Sequence, residues 1–563
     1  MGATFYFALT LLAVLKHVQV DSQEVDLCDS QIYCHGTLLD TVQKARVFND
    51  SKTFVDMSLK NTPEETLTVF NNLMKNTSNE PTHKQLTDFV NENFQTGDEL
   101  ETWTPSDYTE TPKFLEKINS RDGDIKEFAQ NLVKIWPTLG RKVSSKVSEN
   151  PEKYSLIAMP NGFIIPGGRF KEIYYWDTYW IIKGLLLSDM KTTVKGILEN
   201  FLSFVEKYGF IPNGSRVYYL NRSQPPLLSW MVMEYIKATN DLEWLKTNIH
   251  TLERELNYWI KNKTVKIDYN GEKIMLAHYT VNSDTPRPES YLEDSQTCAY
   301  QQEENARKNC YKDIKSGAES GWDFSTRWIF QDDTKKTNLS DIKTRRNIPV
   351  DLNAFLQRAF ADLGKLYKKI GNYKKSKEWR NHASLWNKNI DTVLYDEKDG
   401  IWYDYDNVKG ELRKEFYPSN FAPLFSMSYD SKRSKILGDR AVEYLEREKI
   451  TQYLGGIPTS LIRSGEQWDL PNAWPPTQDM VVTGLHKTKS KKAQSLAELL
   501  ATRWIRSNQM GFEETGEMFE KYDAESPGKY GGGGEYVVQS GFGWTNGVVL
   551  YFIDKFFTKK DDC

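Results

Sequence analysis

The chain has 563 residues, 39% hydrophobic and 27% charged, with a net charge of −4 and a pI near 6.1. That balance argues for a globular protein with a large core, and against both wholesale disorder and a nucleic-acid partner, which needs a basic stripe. The unusual feature is aromatic content, with 16 Trp and 30 Tyr; such side chains fill cores and also stack on sugar rings.

The apolar run from Phe5 to Leu15 is too short to span a bilayer. It reads as a signal peptide over residues 1–20, which predicts a secreted, extracellular protein. No membrane anchor is evident later: "GVVLYFIDKFF" near the end is short and holds Asp554. Cys28 and Cys34 are six positions apart, Cys298 and Cys310 twelve. Two local disulfides are expected, although four cysteines allow three pairings. Cys563 is left over, available for a bond between chains. Six Asn-x-Ser/Thr sequons occur, at Asn49, Asn76, Asn213, Asn221, Asn262 and Asn338. Glycans are expected on some of them, but not on Asn213 and Asn221, which fall in a segment assigned below to the site.

Residues 36–150 are polar and helical in pattern, and residues 21–150 are expected to form a helical extension packed on the main body. Long helical stretches follow around 184–208 and 227–260. "RVYYL" at 216–220 alternates like a short strand. From Leu352 to Ile370, apolar residues recur at steps of three and four, and "GN" then stops the helix. A partner runs through Trp379, Ala383, Trp386, Ile390 and Leu394, making an antiparallel hairpin. Further helices are read at 431–448 and 490–508. Between them lie long Gly/Pro/aromatic loops at 159–177, 209–226, 280–291, 315–328, 453–478 and 511–546, a length usual for functional loops. The pattern predicts an all-α chain built of helical hairpins; their alternation with rich loops suggests a closed ring with the loops at one mouth, which periodicity by itself does not show. The main body is assigned to 151–557 and a polar tail to 558–563.

The chemistry is read by elimination first. The seven His include no His-x-x-x-His pair, "DYDNVKG" lacks the ligands of a calcium loop, and "GGGGE" lacks the Lys-Ser/Thr of a phosphate loop. No metal and no cofactor are expected. Carboxylates beside aromatics remain: Asp323 in "ESGWDFSTRW", Glu520 in "MFEKYDAES" and Glu535 in "GGGGEYVV". Glycosidic cleavage needs two carboxyl groups, one protonated. Desolvation by Trp322, Phe324 and Trp328 would raise Asp323 into that role; the alternative is an ordinary loop acid. Arg169, Arg222 and Arg287 each sit in a Pro-punctuated loop, and their forked donors suit sugar hydroxyls and carboxylates.

"PGGRFKEIYYWDTYW" (166–180) and "QWDLPNAWPP" (467–476) resemble the two diagnostic motifs of the trehalase family. "GFIPNGSRVYYLNRSQPP", "PRPES", "ESGWDFSTRW" and "EKYD…GGGGEYVVQSGFGWTNG" are similar to further blocks, in the same order, from about residue 25 to 555. "LCDSQIYCHGTLL" resembles the animal, particularly insect, branch. The resemblance implies an (α/α)6 barrel that hydrolyses α,α-trehalose with inversion. It implies Asp323 as general acid and Glu520 as general base; only the match to "EKYD" selects Glu520 over Glu517 or Glu535. It places Arg169, Arg222 and Arg287 as essential arginines. Phe170, Trp176, Asp177, Asn213, Gln224, Glu289, Gly321, Trp468 and Glu535 match sugar-contacting positions, and the glycine run looks like the hinge of a lid. Plainer readings stand beside these: Trp176 and Trp468 as core residues, Asp177 as the cap of a helix starting near Thr178, Glu289 as a partner of Arg287. An enzyme acting on another α-glucoside, and a silent sugar-binding protein, are the alternatives. Two expectations follow: Asp323 titrates high while Glu520, near Lys521, stays ionised, and the three arginines serve the reaction and not the folding.

Overall fold

The computed structural model describes residues 27–119, 121–330 and 338–559. The Phe5–Leu15 run and Cys563 lie outside the described residues. Twelve helices among the described residues build the body: α1 (Gly123–Val133), α2 (Asp177–Leu187), α3 (Lys191–Tyr208), α4 (Leu228–Thr239), α5 (Leu242–Asn262), α6 (Val350–Lys369), α7 (Tyr373–Leu394), α8 (Ala422–Ser426), α9 (Ser434–Arg447), α10 (Pro475–Lys487), α11 (Lys491–Thr515) and α12 (Gly543–Phe557). The even-numbered helices form the inner ring. Each packs on the next, and α12 packs back on α2, so the ring closes. The odd-numbered helices lie outside, with α1 against α12. The result is an (α/α)6 barrel.

The sequence explains the two layers. In α2 every residue from Asp177 to Leu185 is buried, and α10 is buried from Pro475 to Leu485. Helices apolar on all sides belong inside; amphipathic ones such as α3 and α5 wrap them. The stretches read as single helices at 184–208 and 227–260 are each broken. Asp189 (φ 60°) and Asn240 (φ 55°) adopt the left-handed conformation, which ends a helix and turns the chain. Each stretch therefore supplies an inner helix and its outer partner. Inside the ring, Trp180 Nε1 and Lys183 Nζ of α2 both donate to Asp479 Oδ2 of α10, at 2.9 and 2.6 Å. Removing one partner of such a buried pair costs about 3–5 kcal/mol.

"RVYYL" is not a strand. Val217–Tyr219 is a 3-10 turn, closed by Tyr219 N–H on the Arg216 carbonyl at 3.0 Å. Tyr218 and Tyr219 are both buried, so no alternation of faces survives. The longest strand pairing is an antiparallel hairpin, Thr264–Tyr269 with Glu272–Ala277. Disulfides link Cys28 to Cys34 and Cys298 to Cys310.

Ahead of α1, the helices Pro63–Asn76 and His83–Asn93 each open with a capping box, Thr62 with Glu65 and Thr82 with Gln85. They share a small core of Leu38, Phe54, Phe70, Phe89 and Phe94, joined by Tyr174, Tyr218 and Tyr219 from the loops of the barrel mouth. This extension therefore buttresses the mouth. Among the described residues no helix is long and apolar enough to cross a membrane.

Candidate active site

Loops at the mouth converge on one pocket. Arg169 and Phe170 come from the loop before α2, and Trp176 and Asp177 from its first turn. Asn213, Arg222 and Gln224 come from the loop between α3 and α4. Arg287 precedes the turn Pro288–Ser290 and Glu289 lies within it. Gly321 and Asp323 follow the helix Glu304–Glu319. Trp468 precedes α10, while Glu520 and Glu535 lie between α11 and α12. All of these residues line the same cavity.

Four carboxyl groups in it are perturbed upward, each chiefly by burial. Asp323 is raised, although Arg287 and Arg222 pull it down. Glu520 is raised too, against the opposing pull of Lys521, Tyr536 and the Gln539 N–H. Sequence predicts that Glu520, near Lys521, stays ionised; with 2% of its surface exposed, burial raises its pKa by more than the Lys521 ammonium lowers it. Asp177 is raised well above the usual range, with Glu520 and Asp323 adding repulsion. It makes no side-chain cap; the N-cap is Trp176. Glu535 is pushed up to about 7.

Glu520 is held firmly. Its N–H donates to the Gln539 carbonyl at 2.9 Å, and its own carbonyl accepts from Trp544 Nε1 at 3.0 Å. Its Oε1 accepts from Tyr536 Oη at 2.8 Å.

The arginines are each fixed by a carboxylate. Arg287 clamps both oxygens of buried Asp294 and donates to Glu535 Oε1 at 2.8 Å. Arg222 donates to Glu289 Oε1 at 2.5 Å and to Asn213 Oδ1 at 3.0 Å. Glu289 thus takes Arg222, not Arg287, as its hydrogen-bond partner; despite burial, the two cations hold its carboxyl below the usual range. Arg169 donates to Asp50 Oδ1 at 2.9 Å. Arg222 Nη1 and Glu289 Oε2 are buried and make no hydrogen bond. Buried polar atoms are normally satisfied, so these two suit a ligand's hydroxyls.

The aromatic wall differs from the one read in sequence. Trp322, Phe324 and Trp328 are buried, but none lines the pocket. Trp328 lies over the Arg327 guanidinium and donates Nε1 to the Trp322 carbonyl at 2.9 Å. Trp322 stacks on Trp468 from behind, 5.2 Å between ring centres. Trp176, Trp468, Trp474, Phe542 and Trp544 face the cavity instead. Trp468 and Trp474 lie parallel at 4.0 Å. Trp176 and Trp468 are thus core and wall at once. Gly321 lets the wall close: with φ +77°, a Cβ there would sit 2.6 Å from the Trp176 ring.

Sequence reading missed Lys52, Tyr174, Tyr219, Trp474 and Tyr536, all of which line the pocket. Trp474 and Tyr174 were inside the quoted motifs, and Tyr536 adjoins Glu535, so adjacency could have flagged them. Lys52 and Asp50 come from the N-terminal extension. No local pattern marks them. Lys52 pairs with Asp56 and Glu172, each at 2.6 Å, and Asp50 caps the helix Ser51–Val55 while holding Arg169.

A profile of the family described as Trehalase matches residues 46–557. The chain belongs to the trehalase family. It is 54% identical to the trehalase of Tenebrio molitor over 96% of this chain and 97% of that one. It is 45% identical to the trehalase of Homo sapiens over 99% and 94%. Among solved structures, the neutral trehalase Nth1 from Saccharomyces cerevisiae superposes with a TM-score of 0.56 at 23% identity, covering 70% of this chain and 73% of the other; that likeness supports the barrel. As a trehalase-family member the chain is a glycoside hydrolase.

Proposed function

We propose that this trehalase-family enzyme hydrolyses α,α-trehalose to two glucose molecules with inversion, Asp323 acting as general acid and Glu520 as general base. The observation that carries the reading is the meeting of Asp323 and Glu520 in one buried pocket with three guanidinium groups. Burial favours the protonated form of Asp323. The cations that would oppose this are already engaged, Arg287 with Asp294 and Glu535, Arg222 with Glu289. Asp323 gives its proton to the oxygen between the two glucoses. Glu520 receives donors that favour its charged form, Tyr536 and the Gln539 N–H, beside Lys521. It takes a proton from the water that attacks the anomeric carbon from the opposite face. The attacked sugar leaves as β-glucose and its partner as α-glucose. Arg222 Nη1 and Glu289 Oε2 bind sugar hydroxyls, and the indole wall packs on the apolar ring faces.

Export fits the two disulfides, which persist in oxidising compartments. Glycans suit the exposed Asn49, Asn76 and Asn338. Asn213 is buried, with its amide oxygen on Arg222, and stays bare.

The test is glucose release from trehalose, maltose and sucrose by the purified enzyme. Trehalose turnover with little action on the others is expected. Preference for another α-glucoside would overturn the substrate, and no turnover of any would leave a sugar-binding protein.

A further inference from the structure

The pocket chemistry above uses the charge of Lys521 but not its hydrogen bonds. Lys521 follows Glu520 directly, is fully buried, and belongs to no carboxylate pair in the manner of the three arginines. Its Nζ donates to Gln467 Oε1 at 2.9 Å and to the Gly533 carbonyl at 3.3 Å, both neutral oxygens. The ammonium lies 5.0 Å from the Trp474 ring centre and 5.9 Å from that of Tyr536. Gln467 in turn donates Nε2 to the backbone carbonyl of Asp323. Gly531 N–H returns to the Lys521 carbonyl at 3.0 Å.

We propose that Lys521 is a positioning residue for the hydrolysis, joining three pieces of the site: the segment bearing Glu520, the Gln467 side chain that braces Asp323, and the glycine run that carries Glu535 and Tyr536. This rests on the roles given to Asp323 and Glu520 above. An ammonium supplies three donors from a compact head, so from the Glu520 segment it reaches the other two pieces at once, which a side chain without donors could not. The glycine run is held from two sides: the Asn472 side chain exchanges two hydrogen bonds with Gly532, each at 2.8 Å, and the Lys521 ammonium takes the next carbonyl, that of Gly533. The charged groups facing Lys521 are Glu520 and Asp323; burial nevertheless lowers it to about 8. The anchor therefore weakens as pH rises through that value, and while charged it favours the ionised form of Glu520.

The experiment compares wild type, Lys521→Met and Lys521→Arg on trehalose across pH, with hydrogen–deuterium exchange over residues 531–536. Lys521→Met is expected to lower kcat/KM about 100-fold, as for a slightly misplaced catalytic pair. Its acid limb should move up by about one pH unit, and exchange in the glycine run should quicken. Lys521→Arg should restore the position of the limb. An unchanged limb together with unchanged exchange in Lys521→Met overturns the proposal. Should that variant fail to fold, Gln467→Met keeps the ammonium and removes its brace. A fall in kcat with faster exchange is then expected, and the absence of both changes would overturn the idea. Asp323→Asn and Glu520→Gln run alongside: activity surviving in those would defeat the acid–base assignment, whatever Lys521 does.

Discussion

Tyr536 donates its phenolic O–H to Glu520 Oε1 at 2.8 Å, and the Arg169 guanidinium lies 4.7 Å over the same ring. The neighbouring Glu535 accepts from Arg287. Two successive residues of the glycine-rich segment therefore touch the base and two of the arginines. Tyr536→Phe keeps the ring and removes the hydrogen bond. A bond to a charged acceptor is worth roughly 1.5–3 kcal/mol, so kcat/KM should fall about 10- to 100-fold. Glu520 should titrate higher still, moving the acid limb of the pH–rate curve upward. An unmoved limb would show that the bond does not tune the base.

Stability and activity should oppose each other at Asp323. Its folded-state pKa is raised by burial. A carboxyl of that kind contributes stability that is full below its unfolded pKa and is lost as pH climbs through the raised, folded one. Asp323→Asn removes the loss. The variant should melt higher than wild type at pH 8, by about 2–4 °C, gain nothing at pH 4, and be nearly inactive on trehalose. Scanning calorimetry at the two pH values decides it; a lower melting point at pH 8 would refute the sign.

The arginines should divide, contrary to the expectation that all three leave folding untouched. Arg169 is 19% exposed and its partner Asp50 41%. Arg169→Ala should shift the melting temperature little while cutting activity by about 100- to 1000-fold, the scale for one preorganised charge. Arg287 is 2% exposed and Asp294 1%. Arg287→Ala strands a buried carboxylate, which costs roughly 3–5 kcal/mol, so it should lose both stability and activity. Equal melting temperatures for the two variants would contradict the division.

Inversion fixes the products. NMR during the first turnovers should show one α- and one β-glucose per trehalose, and the two carboxyl groups should stand roughly 6.5–9.5 Å apart, leaving room for water. Asp323→Asn should lose less on α-glucosyl fluoride, whose leaving group scarcely needs a proton. Glu520→Gln should lose on both substrates and recover with azide. Two α-glucoses would remove Glu520 from the role of base.

Gly321→Ala should raise KM. The added methyl would meet the Trp176 ring at 2.6 Å, on a backbone with φ +77°, and drive the indole into the cavity. A KM equal to wild type would mean that the wall yields elsewhere.

Much of this protein was legible in one dimension. The α6–α7 hairpin could be read because burial of one helix face imposes a step of three and four on neighbouring residues. The disulfides close short loops. The loops that line the pocket could be picked out because their Gly, Pro and Trp content marks them as ordered yet irregular; most of the individual residues within them were named through the resemblance to the family's motifs. Other features depended on contacts between distant residues. Asp189 and Asn240 break helices that look continuous, because a single left-handed residue leaves almost no trace in a hydrophobic pattern. Trp322, Phe324 and Trp328 flank Asp323 in sequence yet turn away from the pocket, since consecutive side chains point in different directions. The indoles that do face the cavity come from α2, the loop before α10 and α12. The partners of the arginines, Asp50, Glu289 and Asp294, and the upward shift of Glu520 follow from burial, which only the closed ring creates. Local spacing records which surfaces each element must hide. Which residues meet in the space they enclose is decided when α12 closes on α2, because only then are the mouth loops brought together and water excluded from between them.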